Sequence, residues 1–224
     1  MKRKRDGWSI VLAGFWNRMI FTPDWVIPRL FESRESDVDV FVTLLPVLPI
    51  VFRDEKIAHV QMEVFSTRLL FRPLRLDDDE CLLRTQEMVR IILKALPETP
   101  VQAVGINFTY KEEIPPGHVV AMFNDTDDVE LNQQNWTIQE RKVTKKLTRG
   151  TDVLNLAMTF DGNTVFFEFN FHCENSTNAQ AVLPAVEGRR ILDLRDAARA
   201  LLQEVYHLEP ESEEEGDDEH PGEG

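Results

Sequence analysis

Apolar and polar side chains alternate with a period of two along much of this chain, and the alternation is sharpest in its last third. From Thr164 to Cys173 the odd positions are Val165, Phe167, Phe169, Phe171 and Cys173, while the even ones include Glu168, Asn170 and His172. Successive side chains of a strand point to opposite faces, so the pattern predicts a strand with one buried and one wet face. Leu154, Leu156, Met158 and Phe160 repeat it just upstream, and Asp161-Gly162-Asn163 between the two runs supplies a hairpin turn. Earlier runs behave likewise: Val38, Val40, Val42 and Leu44, then Ala58, Val60, Met62 and Val64, followed by Leu69 to Phe71. Antiparallel strands are the expectation for all of them, each with one solvated face.

Two segments change to helical spacing. Asp77-Asp78-Asp79 offers a cap and negative charge at the start of a run that carries Leu82, Val89, Ile92, Leu93 and Leu96, and Pro97 stops it. Ile191, Leu194, Ala198, Leu201, Leu202 and Val205 recur at steps of three and four, which predicts a second long helix. Pro23 to Phe31 and Gly117 to Phe123 are each long enough for two helical turns, and Asn124 to Asn135 reads as a polar loop. Strand, short helix, several antiparallel strands and long helix thus occur twice in the same order. The expected fold is α+β, a pseudo-duplication of two similar halves that share one core or pack as a pseudo-dimer. Its boundaries are a basic arm at 1–7, a first half at 8–96, a linker at 97–100, a second half at 101–208 and an acidic tail at 209–224.

In layout alone, a strand, a crossover, three antiparallel strands and a long helix resembles the protomer of the SecB-type export chaperones. The resemblance implies an apolar groove between sheet and helix that holds extended polypeptide. It rests on no residue-by-residue motif, so no site residue follows from it.

Charge refines the picture. The chain holds 39 acidic and 25 basic side chains, a formal net of −14. Nine of the carboxylates lie between Glu209 and Glu223 with no Lys or Arg among them, so residues 1–208 carry 30 acidic against 25 basic groups. The tail is nearly devoid of apolar side chains and is expected to be disordered. A general nucleic-acid binder would need concentrated basic charge, and the balance argues against one. Arg141, Lys142, Lys145, Lys146 and Arg149 do crowd one run, which suits a sheet edge guarded by charge, an acidic partner, or the chain's own tail. The apolar run after the basic arm is broken by Asn17 and Arg18, so neither a signal sequence nor a membrane span is expected. Two cysteines, Cys81 and Cys173, are too few for a disulfide framework, and the four N-x-S/T sites at Asn107, Asn124, Asn135 and Asn175 read as chance; a cytoplasmic protein is the expectation.

Catalytic signatures are missing from the sequence: there is no phosphate-binding glycine loop, no G-x-S-x-G and no H-E-x-x-H. His172 and Cys173 are adjacent but fall on opposite strand faces, and Cys173 belongs with the core face, which predicts a buried, inert thiol. Asp37 and Asp39 share a face without a third acid nearby, and the acids of 125–128 lack the later ligands of a Ca²⁺ loop, so neither a metal nor another cofactor is expected. The residual polar constellation is His59, Glu168, Asn170 and His172 on a sheet face. The reading these features support is a non-catalytic cytoplasmic interaction or assembly module, such as an accessory or regulatory subunit of a multi-component bacterial system. It would bind another polypeptide through a sheet edge or a sheet-helix groove, with homo-oligomerisation an allowed variant. The alternatives are an enzyme with a noncontiguous site around the polar sheet face, a SecB-like peptide chaperone, and a nucleic-acid mimic acting through the acidic tail.

Overall fold

The computed structural model describes residues 1–31, 37–42, 45, 48–125, 127–174 and 177–210. Its centre is an antiparallel sheet to which each alternating run contributes a strand, the run from Val38 only over Asp39–Phe41. In chain order the strands are β1 (Lys2–Arg3), β2 (Ser9–Gly14), β3 (Asp39–Phe41), β4 (Ile50–Asp54), β5 (Val60–Val64), β6 (Arg68–Pro73), β7 (Val101–Glu112), β8 (Glu140–Arg149), β9 (Asp152–Asp161) and β10 (Thr164–Glu174). They lie side by side as β3-β4-β5-β6-β2-β7-β10-β9-β8, with β1 also on β7. The two runs of strands are joined in the middle, where β2 and β7 pair with Ile10 opposite Ile106 and Val11 opposite Gly105. Among the described residues the outer strands are therefore β3 at one end and β8 at the other.

The helices are α1 (Pro23–Leu30), α2 (Asp79–Ala95), α3 (Gly117–Val120), α4 (Asp128–Gln133), α5 (Ala179–Val182) and α6 (Arg190–Glu204). Asp78 caps α2 as its spacing predicts, accepting from the backbone N–H groups of Glu80 and Cys81. The polar stretch expected to be a loop contains α4, where Asp128 and Glu130 sit favourably in the first turn. α2 contacts β2 and β6, and α5 and α6 contact β7, all on one side of the sheet. That side is the apolar face: Ile10, Leu12, Phe71, Phe108 and Phe169 from the strands form one continuous core with Ile92, Leu93, Ile191, Leu194, Ala198 and Leu202 from the helices. Sheet and helices thus share one core, and a depression of about 350 Å³ between them is lined by Val104, Ile106 and Phe171 from the strands and by Pro184 and Leu194 from the helical side.

Residues 97–100 are bound into this body. Thr99 O accepts from Ala179 N at 2.9 Å and Pro100 O from Phe15 N at 3.0 Å. Between β1 and β2 the chain makes a one-turn excursion over Arg5–Gly7, with the Thr109 hydroxyl donating to Gly7 O at 3.3 Å. A Cβ at Gly7 would stand 2.1 Å from Thr109 Oγ1, so this approach needs glycine for its lack of a side chain. No helix of the described residues is long and apolar enough to cross a membrane.

Candidate functional site

With the described helices packed on one side, the other face of the sheet carries the polar member of each alternating pair. Register places Ser9, Asn107, Asn170, Asn155 and Lys146 in one row across β2, β7, β10, β9 and β8. The amides are linked head to tail. Asn155 Nδ2 donates to Asn170 Oδ1 at 3.2 Å, Asn170 Nδ2 donates to Asn107 Oδ1, and Asn107 Nδ2 donates to Ser9 Oγ at 3.1 Å. Such a row satisfies the half-buried amides of Asn107 and Asn170 and holds them in one orientation. It floors an open depression of about 550 Å³, rimmed by the Asp6-Gly7 turn, Arg72 and Thr144. The amides can recognise a ligand by hydrogen bonding but supply no nucleophile or general base, and the ionisable residues lining the depression are Asp6, Arg72, Lys145, Lys146 and Glu168.

The four residues singled out as a polar constellation divide. Glu168, Asn170 and His172 share the polar face of β10, where Glu168 approaches Lys142 at 3.8 Å and His172 approaches Glu174 at 3.3 Å. His59 lies beside β5, four strand positions from β10, which is about 19 Å at ordinary strand spacing. It has φ of 51°, and its carbonyl accepts from the Cys81 thiol at 3.1 Å. These four residues do not form one site.

The basic run on β8 divides as well, because alternation sends its members to opposite faces. Arg141 turns to the helical side, donating to Phe123 O at 2.7 Å and pairing with Asp128 at 2.8 Å. Lys145 follows it and donates to the Tyr206 hydroxyl at 3.4 Å. Lys142 and Lys146 stand on the open face opposite Thr159 and Asn155, and Arg149 ends the strand opposite Asp152. The other strand at the margin of the sheet contrasts with β8. On and after β3, Phe41, Val42, Leu45 and Leu48 are 57%, 62%, 60% and 44% exposed. This apolar edge is the feature that reading for chemistry missed, although four large apolar residues beside Pro46 and Pro49 are visible in the sequence. Thr43 and Leu44, included in the expected strand, lie outside the described residues.

Cys173 departs from its expected burial. It keeps the core-face register, opposite Val104, but stands at the end of the sheet and is exposed. Cys81 is the buried thiol, and burial pushes its pKa up, which keeps it protonated and inert. Asp37, one of the two acids weighed for a metal, pairs with Lys56 at 3.2 Å. Among the described residues no three His, Cys, Asp or Glu side chains are grouped to hold a metal ion. Comparison with known protein families, curated proteins and solved structures finds no match in any of the three.

Proposed function

We propose that this chain is a non-catalytic binding module that takes an extended segment of another polypeptide along the β3 edge of its sheet. The observation that carries the reading is the contrast between the two outer strands. β8 presents lysines and arginines, the usual protection against strand addition, whereas β3 presents Phe41 and Val42 with Leu45 and Leu48 beside them. A strand with no partner on one side among the described residues, and with apolar neighbours, is suited to β-augmentation, where backbone bonds supply affinity and alternate side-chain contacts supply selectivity. Covering the exposed parts of Phe41 and Val42 alone contributes only about 2–4 kcal/mol. Association costs about 4–15 kcal/mol, so a stable complex needs the backbone bonds and the two leucines as well.

The order of elements supports a duplication underneath this module. In each half the first strand, β2 or β7, lies next to the last strand of the meander that follows it, β6 or β10, and a long helix follows, α2 directly and α6 after the short α5. β2 and β7 then pair antiparallel, with Val11 opposite Gly105. Only the first half ends in an apolar edge, which leaves the binding role to it and suits an accessory or regulatory subunit. A reducing compartment such as the cytoplasm fits the two free thiols.

Selection of a displayed library of random peptides on the immobilised protein tests the reading. Enriched peptides are expected to be apolar at alternate positions, and Phe41→Lys is expected to weaken them at least tenfold. Val129→Lys, at an equally exposed apolar position on α4, should leave binding unchanged. Peptides that bind Phe41→Lys as well as wild type would remove the edge from the proposal.

A further inference from the structure

We propose that the depression over the amide row takes a neutral oligosaccharide laid across the strands. This surface is separate from the β3 edge, and the inference does not depend on the binding role given to that edge. A side-chain amide offers two N–H groups and an oxygen with two lone pairs. The row uses one N–H and one lone pair each of Asn107 and Asn170, and one N–H of Asn155. Every amide therefore keeps a donor and an acceptor for a ligand, already oriented by its neighbours. A Cβ at Gly105 would stand 3.0 Å from Asn170 Nδ2, so the glycine leaves that amide its place. Gly7, Thr109, Thr144 and Ala157 border the row with little bulk, and the surface is concave there.

The ligand class follows from what the lining offers and what it lacks. Asp6 and Glu168 are matched by Arg72 and Lys146, while Lys145 is turned to Tyr206 on the helical side. Further out Glu63 pairs with Arg72 and Lys142 approaches Glu168, so charge selects no ionic ligand over a neutral one. Among the described residues of the lining the one ring is that of Phe169, which is buried in the core against Tyr110. A planar base would find nothing to stack on. Neighbouring amides of the row lie about 4.8 Å apart, whereas same-facing groups of an extended peptide recur at about 6.6 Å, so a peptide backbone falls out of step. Sugar hydroxyls are uncharged, each both donates and accepts, and adjacent pairs on a ring can engage the donor and the acceptor of one amide. From Ser9 to Asn155 the row crosses three strand spacings, about 14 Å, which is longer than a single sugar ring.

An array of neutral oligosaccharides built from hexoses and N-acetylhexosamines, probed with the labelled full chain, tests for binding, and titration with the best-retained compound measures it. Ala157→Phe places a ring in the depression and is expected to abolish binding. Asn155→Ala, at an exposed position, is expected to weaken it about fivefold. Phe41→Lys is expected to leave it unchanged, which separates this test from that of the β3 edge. Raising salt to about 0.5 M should change the affinity less than twofold, because no ion pair forms with the ligand. Retention of no neutral oligosaccharide overturns the proposal, as does binding that Ala157→Phe and Asn155→Ala leave intact. A larger loss of affinity in the same salt assigns the face to a charged ligand and overturns it as well.

Discussion

Replacing Trp8 by alanine is expected to lower stability by about 4 kcal/mol, the range for removing a large buried aromatic. Trp8 has no exposed surface and stands just ahead of β2, where the two runs of strands meet. Its ring lies edge-on to Phe108 at 4.9 Å and to Tyr110 at 5.7 Å, and its indole N–H donates to Thr109 O at 3.1 Å. One side chain thus packs the first strand of one run against the first strand of the next. Total stabilities of single domains are about 5–15 kcal/mol, so the loss is a large share of what holds the sheet together. Urea unfolding should show it as a lower midpoint with an unchanged slope. Trp8→Phe keeps most of the apolar area and loses the hydrogen bond, so about 1 kcal/mol of the loss should persist. A loss below about 1 kcal/mol for the alanine variant would show that the join between the runs does not depend on this ring.

The second large effect is expected at Asp54. This carboxylate is fully buried at the end of β4 and accepts from three successive backbone N–H groups, Lys56 and Ile57 at 2.9 Å and Ala58 at 3.1 Å. The turn it organises delivers His59 at positive φ and starts β5 in register with β4. Asp54→Ala strands these donors, and the cost of leaving buried donors unpaired puts the loss at about 3 kcal/mol. An asparagine side chain would keep one acceptor oxygen, so Asp54→Asn is expected to recover part of it. Because β4 is the strand on which β3 rests, the alanine variant should also weaken peptide binding at Phe41 more than a variant of equal stability in α6 does. Urea unfolding and peptide titration on the same samples separate the two effects, and unimpaired stability would show that water replaces the carboxylate.

Much of the fold is legible in local periodicity. The alternation at 154–160 and 164–173 marks β9 and β10 because each has one face on the core and one in solvent, and Asp78 with Pro97 brackets α2 because capping and proline chemistry are local. β4 is harder to see: Ile50 and Val51 break the alternation, and the prolines at 46 and 49 suggest a loop just before it. Cys173 shows the limit of face assignment, since a core-facing position is buried only where another element covers it. The split of the basic run was available from period two, because Arg141 and Lys145 are odd and Lys142 and Lys146 even. The amide row was not. Ser9, Asn107, Asn155 and Asn170 meet through the pairing register of four strands, and no local spacing encodes it.

Backbone pairing along β3 is measured most directly by amide hydrogen exchange of the full chain with and without a saturating peptide obtained by selection. Edge addition gives the outward amides of 39–42 new acceptors, so exchange there should slow at least tenfold while the amides of Glu140–Arg149 on β8 keep their rates. Protection confined to the helices, to β8 or to the open sheet face, with 39–42 unchanged, would contradict binding at the β3 edge.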